Sequence, residues 1–235
     1  MLRHTVPAEL WGTNCHVLAT GPGADCVVVD PGYEVATAVR AWMREHRLRP
    51  VAVLLTHGHV DHTWSVVPLC ADAGIAAWIH PADRGQLTDP AFGLAPEVAA
   101  ALAQMRTDFA EPDHVEDLVD GARLDLAGLV LTVVHTPGHT PGSVMFDVAT
   151  DDYDNGDSGP RLVVTGDTLF AASIGRTDLP GGDPAAMERS LLDKVLPLPD
   201  DAIVLPGHGP ETRIGTERAT NPWLVDLTPG RLATE

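Results

Sequence analysis

Thr56-His57-Gly58-His59-Val60-Asp61-His62 packs four metal-ligand side chains into six consecutive positions, His57 to His62. His57 and His59 are two residues apart, so on an extended backbone both project to the same side. Gly58 between them permits a sharp turn. Asp61 and His62 follow as the chain enters its next element and can aim at a neighbouring point in space. Imidazole together with carboxylate suits zinc, iron or manganese rather than calcium or magnesium. A cluster of surface histidines is the bland account. Against it, the motif directly follows the apolar run Val51–Leu55, which reads as a buried strand, and sites are built at strand ends. Four ligands are more than one open catalytic zinc needs from one loop, so they fit better as halves of two sites.

Two sites need more ligands, and the second half of the chain offers three. His139 lies in Thr136-Pro137-Gly138-His139-Thr140-Pro141-Gly142, Asp167 in Thr165-Gly166-Asp167-Thr168, and His208 in Pro206-Gly207-His208-Gly209-Pro210. Each stands beside glycine just after an expected strand. A lone loop histidine is more often a surface residue, but the three together with the first motif point to one shared centre. Asp30, which ends Val27-Val28-Val29-Asp30-Pro31-Gly32, has two readings, orienting a ligand histidine or shaping a turn. His135 precedes His139 by four and is a candidate for contact with a ligand from behind. His4, His16, His46, His80 and His114 lack any such setting. There is no Gly-x-Ser-x-Gly and no P-loop lysine pattern.

The elements that must position these residues can be read from periodicity and punctuation. Cys15–Ala19 and Cys26–Asp30 read as strands around a Gly21-Pro22-Gly23 turn. Val35–Leu48 reads as a helix with Val35, Val39, Trp42 and Met43 on one face. Ser65–Ala73 reads as a helix ended near Gly74, Ile75–Ile79 as a strand, and Pro96–Arg106 as a helix. Arg123–Leu126 and Leu129–Val134 form an expected hairpin, with further strands at Ser143–Val148, Leu162–Thr165 and Ala202–Leu205. Asp151–Gly159 reads as a solvated loop, since the spacing and terminal glutamate of an EF-hand are missing. Pro184–Val195 reads as a helix capped by Asp183. Strands outnumber helices, which predicts two sheets with helices packed outside them in a single domain over residues 1–235.

Composition narrows the partners. The chain has 235 residues, with 33 acidic against 15 basic and a net charge of −18, which repels phosphate backbones and argues against nucleic acid. It is 44% hydrophobic and 20% charged, as expected of a folded protein. No apolar run reaches the length of a membrane span, and no secretory signal is visible, so no membrane partner is expected. Cys15, Cys26 and Cys70 form no CxxC. Reduced thiols and a cytoplasmic location are the expectation.

The ordered set His57-Gly58-His59-Val60-Asp61-His62, His139, Asp167 and His208 resembles the metallo-β-lactamase superfamily, from the first strands to about Asn221-Pro222. Within it, Thr-Pro-Gly-His139-Thr-Pro-Gly, Gly-Asp167-Thr-Leu-Phe, Ile174-Gly-Arg176-Thr-Asp178 and Pro-Gly-His208-Gly-Pro resemble the glyoxalase II (hydroxyacylglutathione hydrolase) branch. Pro180-Gly181-Gly182-Asp183 and Glu217 to Asn221-Pro222 are similar to its short bacterial members. The resemblance implies an α/β (α+β) four-layer αββα sandwich with metals at one edge. It implies one metal on His57, His59 and His139, a second on Asp61, His62 and His208, and Asp167 bridging them. The implied cofactors are two divalent ions, zinc first, with iron or manganese as alternatives.

The activity so implied is hydrolysis of a small acyl-thioester, S-lactoylglutathione or an ester of a related low-molecular-weight thiol, by a metal-bridging hydroxide. Asp61 and Asp167 would hold metal and position that hydroxide. A thiolate leaves readily, with a thiol pKa of about 8.5, so a metal-only site suffices. Arg176 would contact an anionic substrate or else form a surface salt bridge. A departure is visible after His208, where the chain is short, has no lysine and lacks the tyrosines of the glutathione-gripping helical domain of full-length glyoxalase II. The metal chemistry survives that loss, but glutathione specificity does not follow. Persulfide dioxygenases share the fold and would place one iron on His57, His139 and Asp167, although Gly207-His208-Gly209-Pro210 is closer to the hydrolase form. β-Lactamase activity is disfavoured by Asp167, where the best-known zinc β-lactamases have cysteine. A monomer or small homo-oligomer is expected.

Overall fold

The computed structural model describes residues 1–92, 94, 96–105, 109–149, 161–225 and 227–228. Along β3 (Asp25–Val29), Cys26 and Val28 pack to one side and Val27 and Val29 to the other. All four are buried, so the strand carries an apolar residue on both faces and must be covered twice. β3 sits inside a six-stranded sheet whose spatial order follows the chain: β1 (Leu2–Pro7), β2 (Asn14–Ala19), β3, β4 (Arg49–Leu54), β5 (Ala76–Ile79) and β6 (Val115–Asp117). The first pairs are antiparallel; β3 to β6 run parallel. Parallel neighbours need crossovers. These carry α1 (Ala36–Glu45), then α2 (Val60–Thr63) with α3 (Val66–Ala73), then α4 (Pro96–Met105).

The second half builds another six-stranded sheet from β7 (Arg123–Leu126), β8 (Leu129–His135), β9 (Val144–Ala149), β10 (Leu162–Gly166), β13 (Ile203–Pro206) and β14 (Thr212–Arg213), in the order β14-β13-β10-β9-β8-β7. A small separate hairpin, β11 (Leu169–Phe170) and β12 (Ser173–Ile174), follows β10. α5 (Pro184–Ser190) crosses between the parallel pair β10 and β13, and α6 (Ile214–Thr220) follows β14.

Alternation along these strands yields three apolar layers. Leu18, Val27, Val29 and Leu54 of the first sheet meet Leu131, Val133, Phe146 and Val164 of the second. The outward residues Val17, Val28 and Val53 meet Val39 and Met43 of α1 and Leu69 and Cys70 of α3. On the far side Met145, Val163 and Val204 meet Met187 of α5 with Leu191 and Val195. The result is the four-layer αββα sandwich expected from the sequence. Phe146 is fully buried between the sheets; truncating such a residue to alanine costs about 3–5 kcal/mol. Cys15, Cys26 and Cys70 are free thiols inside this core. No described helix is long and apolar enough to cross a membrane.

Element boundaries moved where local chemistry intervened. α1 stops at Glu45 rather than Leu48 because Arg47 takes a left-handed φ of 57° and Leu48 N–H returns to the Met43 carbonyl. The expected Pro184–Val195 helix is α-helical only to Ser190 and continues as one π-helical turn, Leu191–Val195. Asp183 caps it as predicted, accepting from the Ala185 and Ala186 N–H groups. After Gly209 the chain forms β14 and α6, two elements the sequence reading did not assign. The expected loop Asp151–Gly159 and the end of the expected helix at Arg106 lie outside the described residues.

Candidate metal centre

The strand ends named by the sequence converge. His57 follows β4, His59 immediately precedes α2, and Asp61 and His62 lie on α2. His139 sits in the β8–β9 turn, Asp167 directly follows β10, and His208 follows β13. Backbone bonds stitch the two sheets together at this edge. Val144 N–H donates to the Thr56 carbonyl and Asn14 N–H to that of Gly207. Gly207 has to be glycine, since a Cβ there would collide with Asp167 Oδ1 and stand 2.8 Å from His62 Cε1.

Six of the seven side chains form two adjoining donor sets. His57, His59 and His139 make one, Asp61, His62 and His208 the other. His139 Nε2 lies 2.9 Å from His59 Nδ1, and His62 Nε2 lies 3.3 Å from His208 Nε2. Asp167 stands between the sets. Its Oδ1 is 3.3 Å from His62 Nε2, while its Oδ2 is 3.5 Å from both His139 Nε2 and His208 Nε2. Asp61 Oδ2 is 3.2 Å from His208 Nε2.

Hydrogen bonds behind the ring fix which nitrogen faces the centre. His139 Nδ1 lies 2.8 Å from the Arg176 carbonyl, which can only accept, so Nδ1 carries the proton and Nε2 is free. His62 Nδ1 donates to Asp30 Oδ2 at 3.0 Å. Thr56 Oγ1 donates to the same Asp30 oxygen at 2.6 Å and therefore accepts from His57 Nδ1 at 3.1 Å. Thr13 Oγ1 donates to Asp61 Oδ2 at 2.7 Å.

These groups fit a cation. His57 Nε2, His59 Nε2 and Asp167 Oδ1 are buried without a hydrogen-bond partner, an arrangement that costs free energy unless something accepts their lone pairs. The donors are nitrogen and oxygen only, the ligand chemistry of zinc, iron or manganese rather than of a thiolate site. The same crowding shifts the protonation of these groups. Burial, reinforced by His62 and the other imidazoles, holds His57 neutral well below its usual range, and burial with His139 brings His59 down to about 4. Burial opposes ionisation of Asp61, but His62 and His208 outweigh it and hold the carboxyl below its usual range; His62 does the same for Asp167. Burial likewise disfavours the His62 cation, but Asp61, Asp167 and Asp30 push its pKa well above the usual value.

Of the residues the sequence left open, Asp30 orients candidate ligand side chains, accepting from His62 Nδ1 and Thr56 Oγ1. His135 does not support one: its Nε2 lies 2.9 Å from the Pro141 carbonyl and its ring stacks on His80. His16 is buried, bound to the Pro206 carbonyl and Thr5, and stands apart from both donor sets. The Arg176 guanidinium is held by both carboxylate oxygens of Asp178 at 2.7 Å. The sequence reading gave no structural role to two organising residues, Asp83, which it did not single out, and Glu217, which it named only in a resembling motif. Asp83 accepts from Gly58 N–H, Thr140 Oγ1 and Gly142 N–H, tying the His57–His59 loop to the His139 turn. Glu217 accepts from Ala172 N–H and Asn221 Nδ2, and Asn221 donates to the Phe170 and Ser173 carbonyls, which clamps the β11–β12 hairpin. The only sequence signals were an aspartate shortly after a strand and the Glu217–Asn221 spacing.

A cavity of about 430 Å³ opens over the centre, with His59, Asp61, His139, Asp167 and His208 in its wall.

Residues 8–208 match the sequence profile described as Metallo-beta-lactamase superfamily. The chain is 47% identical over 229 residues to an uncharacterized protein of Mycobacterium tuberculosis (strain ATCC 25618 / H37Rv), covering 97% of this chain and 100% of that one. It is 32% identical over 219 residues to hydroxyacylglutathione hydrolase GloC of Haemophilus influenzae, covering 93% and 96%. Among solved structures, the BLEG-1 B3 metallo-beta-lactamase superposes with a TM-score of 0.78 at 34% identity, covering 95% of this chain and 100% of that one. TTHA1623 in a di-iron-bound form gives 0.75 at 36%, covering 94% and 100%.

Proposed function

The chain belongs to the metallo-β-lactamase superfamily, and from that premise we propose that it is a two-metal hydrolase of small acyl-thioesters, with S-lactoylglutathione or an ester of another low-molecular-weight thiol as substrate. The observation that carries the reading is Asp167, whose carboxylate reaches both donor sets, Oδ1 lying against His62 and Oδ2 against His139 and His208. Two divalent ions held by His57, His59 and His139 and by Asp61, His62 and His208, with Asp167 between, would supply Lewis acidity and hydroxide at neutral pH, the chemistry of paired-metal hydrolases. The chain's own residues do the rest. Asp30, Thr56 and the Arg176 carbonyl fix three imidazoles with Nε2 toward the centre. Thr13 holds Asp61, and Asp61 and Asp167 orient what lies between the sets.

The cavity wall bears on the leaving group. Outside the two donor sets and Asp167, the described lining residues include no histidine, lysine, tyrosine, cysteine, aspartate or glutamate to give up a proton, and Arg176 is bound to Asp178. A departing amine needs that proton, whereas a thiol of pKa about 8.5 leaves as thiolate. The similarity to GloC supports the same class. The similarity to BLEG-1 makes a β-lactam the substrate to exclude. A single iron on His57, His139 and Asp167, as in a persulfide dioxygenase, would leave Asp61, His62 and His208 without a role.

The test is a substrate panel on protein reconstituted with zinc, iron or manganese. Thiol release from S-lactoylglutathione or a related thioester is the expected result. Faster turnover of nitrocefin than of any thioester, or oxygen uptake on glutathione persulfide without thioester cleavage, would overturn it.

A further inference from the structure

The wall of the cavity above the donor sets is hydrocarbon. Phe170 and Ile174 come from the β11–β12 hairpin, Leu179 from the segment after it, Leu94 and Val98 from α4 and its approach, and Trp11 from the β1–β2 connection. Phe170 stands edge-on to His208 with ring centroids 5.8 Å apart, so the apolar wall begins at the ligands themselves. At the mouth, Val98 is 40% and Trp11 37% exposed. Trp11 is held there at a left-handed φ of 66°, edge-on to both Tyr33 and Trp64. Exposed apolar side chains grouped at the rim of a cavity mark a surface that a ligand covers. A strained backbone that keeps one of them in place points the same way.

The charge on the wall argues in parallel. Among the described lining residues Arg176 is the only arginine or lysine, and Asp178 takes both of its forks. The chain as a whole carries a net charge of −18. Outside the donor sets the two carboxylates of glutathione would meet no unpaired cation among the described lining residues, and the net-negative peptide would approach against the field.

We propose that the substrate's acyl group is an apolar chain lying along Phe170, Ile174, Leu179 and Val98, carried on a thiol of low net charge. This rests on the thioester reading above and names the class of ester. Two series test it. S-alkyl thioethers of N-acetylcysteamine, methyl to octyl, are titrated into the zinc-loaded protein by calorimetry. The matched S-acyl thioesters and S-lactoylglutathione are assayed for thiol release. Kd should fall, and kcat/KM rise, about fourfold for each methylene the wall covers. Val98→Asp should flatten both slopes, whereas Val98→Leu should keep them.

Flat slopes with S-lactoylglutathione the best substrate would overturn this proposal and leave the thioester reading standing. Chain-length-dependent thioether binding without cleavage of any thioester would overturn the thioester reading and leave the apolar recognition. Equal slopes in Val98→Asp and the parent would also overturn it.

Discussion

Asp30 Oδ2 lies 3.0 Å from His62 Nδ1, and the same oxygen accepts from Thr56 Oγ1, which touches His57. One buried carboxylate therefore orients one imidazole in each donor set. Asp30 does this from a left-handed backbone, φ 48°, at the end of β3.

Asp30→Asn tests that relationship, because asparagine tolerates the left-handed conformation and matches the volume. It removes the negative charge that holds the His62 and Thr56 donors. Metal affinity should fall about 10–100-fold, read by competition against a chelating dye, with the far-ultraviolet circular dichroism unchanged. An affinity equal to the parent's would mean that Asp30 only shapes the turn.

Asp83→Ala should loosen one donor set more than the other. Asp83 joins the loop of His57 and His59 to the turn of His139, and all three belong to the same set. Two buried N–H groups would lose their acceptor, at about 1–3 kcal/mol each, so the melting temperature should drop by several degrees. Metal content at limiting supply should fall toward one ion per chain. Retention of both ions at parental affinity would contradict this role.

Asp61→Ala and His59→Ala each remove one donor from a different set. Both should abolish thioester hydrolysis while leaving the sandwich folded, since neither side chain belongs to the three apolar layers. Thiol release and circular dichroism on the same preparations decide the matter. Substantial activity in either variant would count against the two-metal arrangement.

The thiols should be silent in the folded protein. Burial pushes Cys26 and Cys70 up to about 12, and burial with Asp30 raises Cys15 well above its usual value. Ellman's reagent at pH 8 should find no thiol until denaturant is added, and then all three. In the unfolded chain thiols ionise near their usual value of about 8.5. The stability they contribute is therefore complete below that pH and is lost as pH rises toward about 12, at about 1.4 kcal/mol per pH unit for each thiol. Rapid labelling of the native protein would contradict this.

The candidate donors stood out in the sequence because ligand-type residues at strand ends beside glycine are dense and local. The sheets were legible because β3, β9 and β10 alternate their apolar residues between two covered faces. β1 was not, because as an edge strand it is half exposed and carries Arg3, His4, Thr5 and Pro7. β14 is two residues long, too short for any period. Asp83, like Asp30, gains its meaning only from partners far away in sequence, Gly58 and Thr140 for one, Thr56 and His62 for the other. A single sequence does not record such contacts, so Asp30 kept two readings and Asp83 had none.

The most direct measurement is metal content per chain on the same preparation that is assayed for thiol release from a thioester. Two ions per chain together with thiol release is the expected result. One iron per chain, with no thiol release and with oxygen uptake on glutathione persulfide, would contradict it.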